Sequence, residues 1–263
     1  MEVRILSEGL ALSGHVAEPS LETISPMALV LCHGFPTRPR GSSDSGHTYP
    51  QLAERIAGIT GARVLSFNFR GTGESDGDFS LGGWGADLRA AIGFVLGLAD
   101  VRQVWLAGFN LGGALALCAA GEDERVSGVA SLGAPADFEH WVGDPVGFLD
   151  QCRELGVIRT RSFPSDLAAW GGELSQVRPL ELVGKIPPRP LLLVHGADDD
   201  QVPAMEARVL ADAADGTVDL RILPGAGHRL RHDPRAVAVL LGWLDRVGGD
   251  PVTAESDPKL GRW

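Results

Sequence analysis

Short, unbroken apolar runs alternate along this chain with longer stretches in which apolar residues return every third or fourth position. The first kind predicts strands buried on both faces of a parallel sheet, and the second predicts the helices that cover it. Val3-Arg4-Ile5-Leu6 and Leu10–Val16 alternate residue by residue instead, which predicts an opening hairpin. Strands are predicted at Met27–Cys32, Arg63–Phe69, Val101–Ala107, Val126–Leu132, Pro190–Val194 and Val218–Leu223. Helices are predicted at Pro50–Ile59, Leu81–Leu98, Leu111–Ala120, about Ala204–Ala214 and Arg235–Val247. In the second of these, Leu88, Ile92 and Val95 mark the apolar face.

The rhythm fails once. Residues 136–187 carry Trp141, Phe148, Trp170 and several prolines without a clean buried strand, and they read as a helical insertion. The segment 249–263 is polar and proline-containing, the composition of a loose tail. These patterns predict a single α/β domain over residues 1–248, with a mostly parallel central sheet, helices on both faces and a small helical cap. A length of 263 residues with 44% hydrophobic composition suits one large core and is short for two.

A net charge of −11 argues against nucleic acid and anionic membrane as partners, because both need a concentrated basic patch. The small arginine clusters at Arg159/Arg161 and Arg229/Arg231 read as solvated surface. No apolar segment follows Met1 and no run is long enough to span a bilayer, so a cytoplasmic protein is expected. Cys32, Cys118 and Cys152 have no motif spacing; Cys32 and Cys118 lie in apolar runs and read as small buried hydrophobes. Cys32 sits inside a strand and makes a poor candidate nucleophile. No cluster of His, Cys and carboxylates has metal-ligand spacing, and no cofactor is implied.

In open α/β sheets, ligands bind beyond the carboxyl ends of the strands, so chemistry is sought in the segment after each strand. In order, these segments are His33-Gly34-Phe35-Pro36, Arg70–Gly77, Gly108-Phe109-Asn110-Leu111-Gly112-Gly113, His195–Pro203 and Pro224–His228. Together they resemble the α/β-hydrolase fold family, closest to its small carboxylesterases and acyl hydrolases. The resemblance covers nearly all of residues 1–248, and the chain order nucleophile, acid, histidine agrees with it. It implies His228 as general base, with His232 as a rival expected on the surface. It implies Asp199 as the acid orienting His228, with Asp198 and Asp200 left open by their adjacency. It implies an oxyanion hole of the backbone amides of Phe35 and Leu111. His33 and His195 are expected to pack and hydrogen-bond beneath the site, and Arg70–Gly77 reads as a family loop or a plain glycine-rich turn. Trp141, Phe148 and Trp170 are candidates to line the substrate pocket, although cap aromatics as often pack the cap to the core.

Where that family carries a serine, this chain carries Asn110. A carboxamide has no proton that an imidazole can remove to expose a nucleophile. Losing a triad nucleophile costs roughly a millionfold in turnover, about 8 kcal/mol. Four readings are open: a serine esterase inactivated by replacement; a natural protein whose His–Asp pair acts as base on water or substrate, as a slow hydrolase, lyase or cyclase; a catalytically dead binding or sensor protein; or an asparagine standing in for aspartate. The expected ligand is a small molecule, a modest apolar acyl or aryl ester. The sequence leaves a homodimer open.

Overall fold

The computed structural model describes residues 1–19, 25–37, 41–138 and 143–248. Eight strands form one sheet in the order β1-β2-β4-β3-β5-β6-β7-β8. β1 (Glu2–Ser7) and β2 (Leu10–Ala17) form the expected hairpin, and β2 also runs antiparallel to β4 (Arg63–Phe67). From β4 onward every pairing is parallel, through β3 (Met27–Cys32), β5 (Gln103–Phe109), β6 (Val126–Leu132), β7 (Leu191–Gly196) and β8 (Asp219–Leu223).

The unbroken apolar runs have a direct physical reading in β3. Ala28, Val30 and Cys32 point to one core layer, while Met27, Leu29 and Leu31 point to the other. Successive side chains of a strand face opposite ways, so a strand covered on both faces must be apolar at every position. On one face lie α2 (Leu81–Leu96) and α3 (Leu111–Glu122); on the other lie α1 (Gly41–Thr60) and the last helix, α8 (Pro234–Gly248). Helix α3 is buried from Leu111 to Ala120, which explains why its sequence is apolar all round.

Between β6 and β7 the chain forms α4 (Pro145–Glu154), α5 (Leu167–Gly172) and α6 (Pro179–Leu182) with two short 3₁₀ turns. Helix α7 (Met205–Ala213) follows β7. Helix α1 differs from expectation: it begins at Gly41 rather than Pro50 and carries Pro50 inside. The glycine- and serine-rich first half has weak helix propensity and hides the helix from pattern reading. The proposed tail, 249–263, lies outside the described residues.

Among the described residues, no helix is long and apolar enough to cross a membrane. The three cysteines are free and buried, and burial pushes the Cys118 and Cys152 thiols up to about 12.

Candidate active site

The parallel strands β3, β5, β7 and β8 deliver Phe35, Asn110, Asp199 and His228 to one edge of the sheet. Asn110 sits at the turn from β5 into α3 with φ 52° and ψ −123°, a backbone that L-residues rarely adopt. Such a conformation costs about 1–3 kcal/mol and persists only where the surroundings enforce it. The enforcement is steric: a Cβ on Gly108 would meet the Gly112 carbonyl oxygen at 2.2 Å, and one on Gly112 would meet the His33 carbonyl oxygen at 2.3 Å. With bare glycines at both places, strand and helix close tightly and residue 110 is held at the apex.

The side chain of Asn110 is committed on both of its ends. Its Oδ1 accepts from the Leu111 backbone N–H at 2.6 Å, and its Nδ2 lies 2.6 Å from His228 Nε2. The Leu111 amide can only donate, so the atom facing it is the carboxamide oxygen; the NH₂ therefore donates to His228 Nε2. His228 must then carry its proton on Nδ1, which lies 3.0 Å from both Oδ1 and Oδ2 of Asp199. A continuous chain of hydrogen bonds runs from Asp199 through His228 and Asn110 to Leu111.

Asp199 is fully buried, and its Oδ1 also accepts from the amides of Gln201 at 3.0 Å and Val202 at 2.9 Å. Burial alone would push this carboxyl up, but hydrogen bonds from His195, His228, Val202 and Gln201 outweigh it. The carboxyl is held well below the usual range and stays ionised. Asp198 and Asp200 are not the partners of His228; the backbone turn aims the middle aspartate inward. His232 is exposed in a 3₁₀ turn and bonds to Arg231.

His33 and His195 both lie below this chain. His33 Nδ1 donates to the Gly34 carbonyl at 2.8 Å, and its Nε2 accepts from the Phe69 amide at 3.2 Å. Burial, reinforced by the charge of Arg231 and opposed by the Gly34 bond, lowers its pKa to about 4. The Arg70–Gly77 turn contributes nothing to the wall of the cleft. Instead, Arg70 pairs with the fully buried Asp87 at 2.7 Å, and Trp84 Nε1 donates to the Arg70 carbonyl, pinning the turn to α2.

Asn110 and His228 open into a cavity of about 400 Å³ walled by Phe35, Pro36, Thr37, Pro135, Phe148, Gln151, Gln201 and Val202. Phe148, on α4, lies 5.7 Å from Phe35 between ring centroids and forms part of that wall. Trp170 does not line it, contrary to expectation. It stacks behind Phe148 at 5.5 Å, and its Nε1 donates to the Phe79 carbonyl. Buried indole N–H groups usually find an acceptor, and this one found it in the core. Trp141 lies outside the described residues. Gln151 and Gln201 belong to the wall although no sequence signal singled them out: isolated glutamines carry no motif. Among the described residues, no group of three His, Cys, Asp or Glu could hold a metal ion.

A family model described as alpha/beta hydrolase fold matches residues 28–160, just over half of the chain. The chain belongs to that family. No curated protein matches it significantly in sequence. Among solved structures, it is similar to the esterase domain of a Rhodothermus marinus protein, at 25% identity and a TM-score of 0.68, covering 95% of this chain and 99% of that one. It is also similar to Est1E from Butyrivibrio proteoclasticus, solved with ferulic acid bound, at 18% identity and a TM-score of 0.69, covering 93% and 96%. The alpha/beta hydrolase GrgF from a Penicillium species aligns at 20% identity and a TM-score of 0.70, covering 94% and 98%. At their low identities, the last two likenesses show the fold alone.

Proposed function

We propose that this protein is a carboxylic-ester (acyl) hydrolase scaffold in which Asn110 occupies the nucleophile position, leaving His228 and Asp199 as a base that acts on water. The observation that carries this reading is the hydrogen-bond chain Asp199–His228–Asn110–Leu111 at the floor of the cavity. Its ligand is a small, uncharged acyl or aryl ester: among the described residues, the cavity wall contains two phenylalanines, two prolines and a valine, and no carboxylate, lysine or arginine. The described part of residues 136–187 serves as the cap over the acyl pocket, through Phe148. The three buried free thiols fit a reducing, cytoplasmic setting.

The chemistry follows from what each atom is free to do. Hydrolysis needs an unshared lone pair on His228 Nε2 and open backbone donors, the amides of Phe35 and Leu111, for the developing oxyanion. Asn110 engages the lone pair with Nδ2 and the Leu111 donor with Oδ1. An attacking water must displace Nδ2 from His228 Nε2 before its proton can pass to the imidazole, and the ester's carbonyl oxygen must displace Oδ1 from the Leu111 amide. Turnover by the Asn110 chain is therefore slow, and Asn110 is the reason.

The test is a paired assay of this chain and Asn110→Ser on short p-nitrophenyl esters. The serine form is expected to gain roughly a hundredfold or more, well inside the cost of losing a nucleophile. Equal inertness of two folded proteins would overturn the ester reading.

A further inference from the structure

We infer that His195 is a positioning residue for the acid–base pair, holding Asp199 toward His228 by clamping Val202. The inference rests on the reading that Asp199 and His228 are the working base. His195 lies near the end of β7 with a side chain only 1% exposed. Its Nε2 lies 2.9 Å from the Val202 carbonyl oxygen, so that nitrogen bears the ring proton and donates. Its Nδ1 is buried and finds no partner among the described residues.

That orphan nitrogen is informative. The preceding residues of β7, Leu191–Val194, fill equally buried positions with apolar side chains and leave nothing unsatisfied. An imidazole at the next position leaves a polar atom unpaired, which a leucine there would not do. Packing alone therefore does not account for it; the Nε2–H bond does. The bond reaches the acid in one step. Val202 is held by its carbonyl to His195 and by its amide to Asp199 Oδ1 at 2.9 Å. Pro203 follows, and a residue before proline is confined to extended backbone, so the two bonds of Val202 are rigidly related. The same His195 Nε2 also lies 3.4 Å from Asp199 Oδ2, adding a positive dipole on the side of the carboxylate away from solvent. Asp199 is thus fixed by the turn that His195 anchors, and His228 takes its orientation from Asp199.

The experiment compares His195→Phe, which fills the space without a donor, with His195→Gln, which restores one. In the Asn110 chain the readout is the proton NMR signal of His228 Nδ1–H and its exchange with water, which requires no turnover. His195→Phe is expected to speed that exchange about tenfold or more, with most of the protection restored in His195→Gln. In an Asn110→Ser background, His195→Phe is expected to lower kcat on p-nitrophenyl acetate about tenfold while KM stays within about twofold, since misplacing a base affects the chemical step. A folded His195→Phe protein with unchanged exchange overturns the proposal. Should that variant fail to fold, His195→Met fills the same space with a flexible chain and is read by the same criteria. An inert Asn110→Ser protein would count against the ester reading alone, because the exchange measurement still decides the role of His195.

Discussion

Asp199 and His228 on one side of the cleft, and Asn110 and Leu111 on the other, meet across 2.6 Å, yet the two pairs are fitted for different ends. In the proposed base, the contacts on the Asp199 side fit proton transfer: an ionised, buried carboxylate, an imidazole with its proton on Nδ1, and a backbone turn that fixes the carboxylate. On the other side the strained turn is intact, but its residue occupies the neighbouring donor and the imidazole lone pair at once. On the proposed reading, the geometry of a nucleophile turn is thus separable from its chemistry. Gly108 and Gly112 impose the backbone, and the side chain at the apex decides what the backbone is used for.

The sharpest way to break this comparison is to make the second side like the first. Asn110→Ser is expected to raise ester turnover roughly a hundredfold or more, and adding His228→Ala should erase the gain. A serine form whose activity survives loss of the imidazole would place the chemistry elsewhere.

A second contrast separates Phe148 from Trp170, which stack against each other but face different environments. Trp170→Ala is expected to cost about 3 kcal/mol in chemical denaturation, from lost burial and the orphaned Phe79 carbonyl, with little change in KM of the serine form. Phe148→Leu should do the reverse, changing stability little and raising KM for aryl esters about threefold. Matching effects from the two would mean that they form one wall.

A third contrast concerns His33, kept neutral beneath the site. Its folded pKa, about 4, lies below the unfolded value of 6.5, so the unfolded chain binds a proton first as pH falls. Its contribution is complete above pH 6.5, is lost as pH falls toward 4, and amounts to about 3 kcal/mol across that window. Denaturation curves for this chain and His33→Gln between those pH values check this; parallel slopes would refute it.

Much of this arrangement is legible in the sequence alone. Strands buried on both faces announce themselves as unbroken apolar runs, and a parallel sheet collects its loop residues along one edge, so the segments around Asn110, Asp199 and His228 can be expected together. The choice of Asp199 over Asp198 and Asp200 is not legible from the residues themselves: three adjacent carboxylates differ only in where the turn aims them. Phe148 and Trp170 look alike in sequence because a cap aromatic is apolar whether it faces ligand or core. The bond from Asn110 Oδ1 to Leu111 N–H depends on how the carboxamide is turned, which no pattern encodes. The clamp of His195 on Val202, though both lie in the His195–Pro203 segment, depends on how that turn folds back.

The most direct measurement is covalent labelling with a fluorophosphonate, read by peptide mass analysis, because such a reagent marks a serine only when a neighbouring imidazole activates it. No adduct is expected at residue 110 of the Asn110 chain, and stoichiometric labelling of that position is expected in Asn110→Ser, abolished by His228→Ala. A folded Asn110→Ser protein that stays unlabelled, or an Asn110 chain labelled at some other residue, would contradict this.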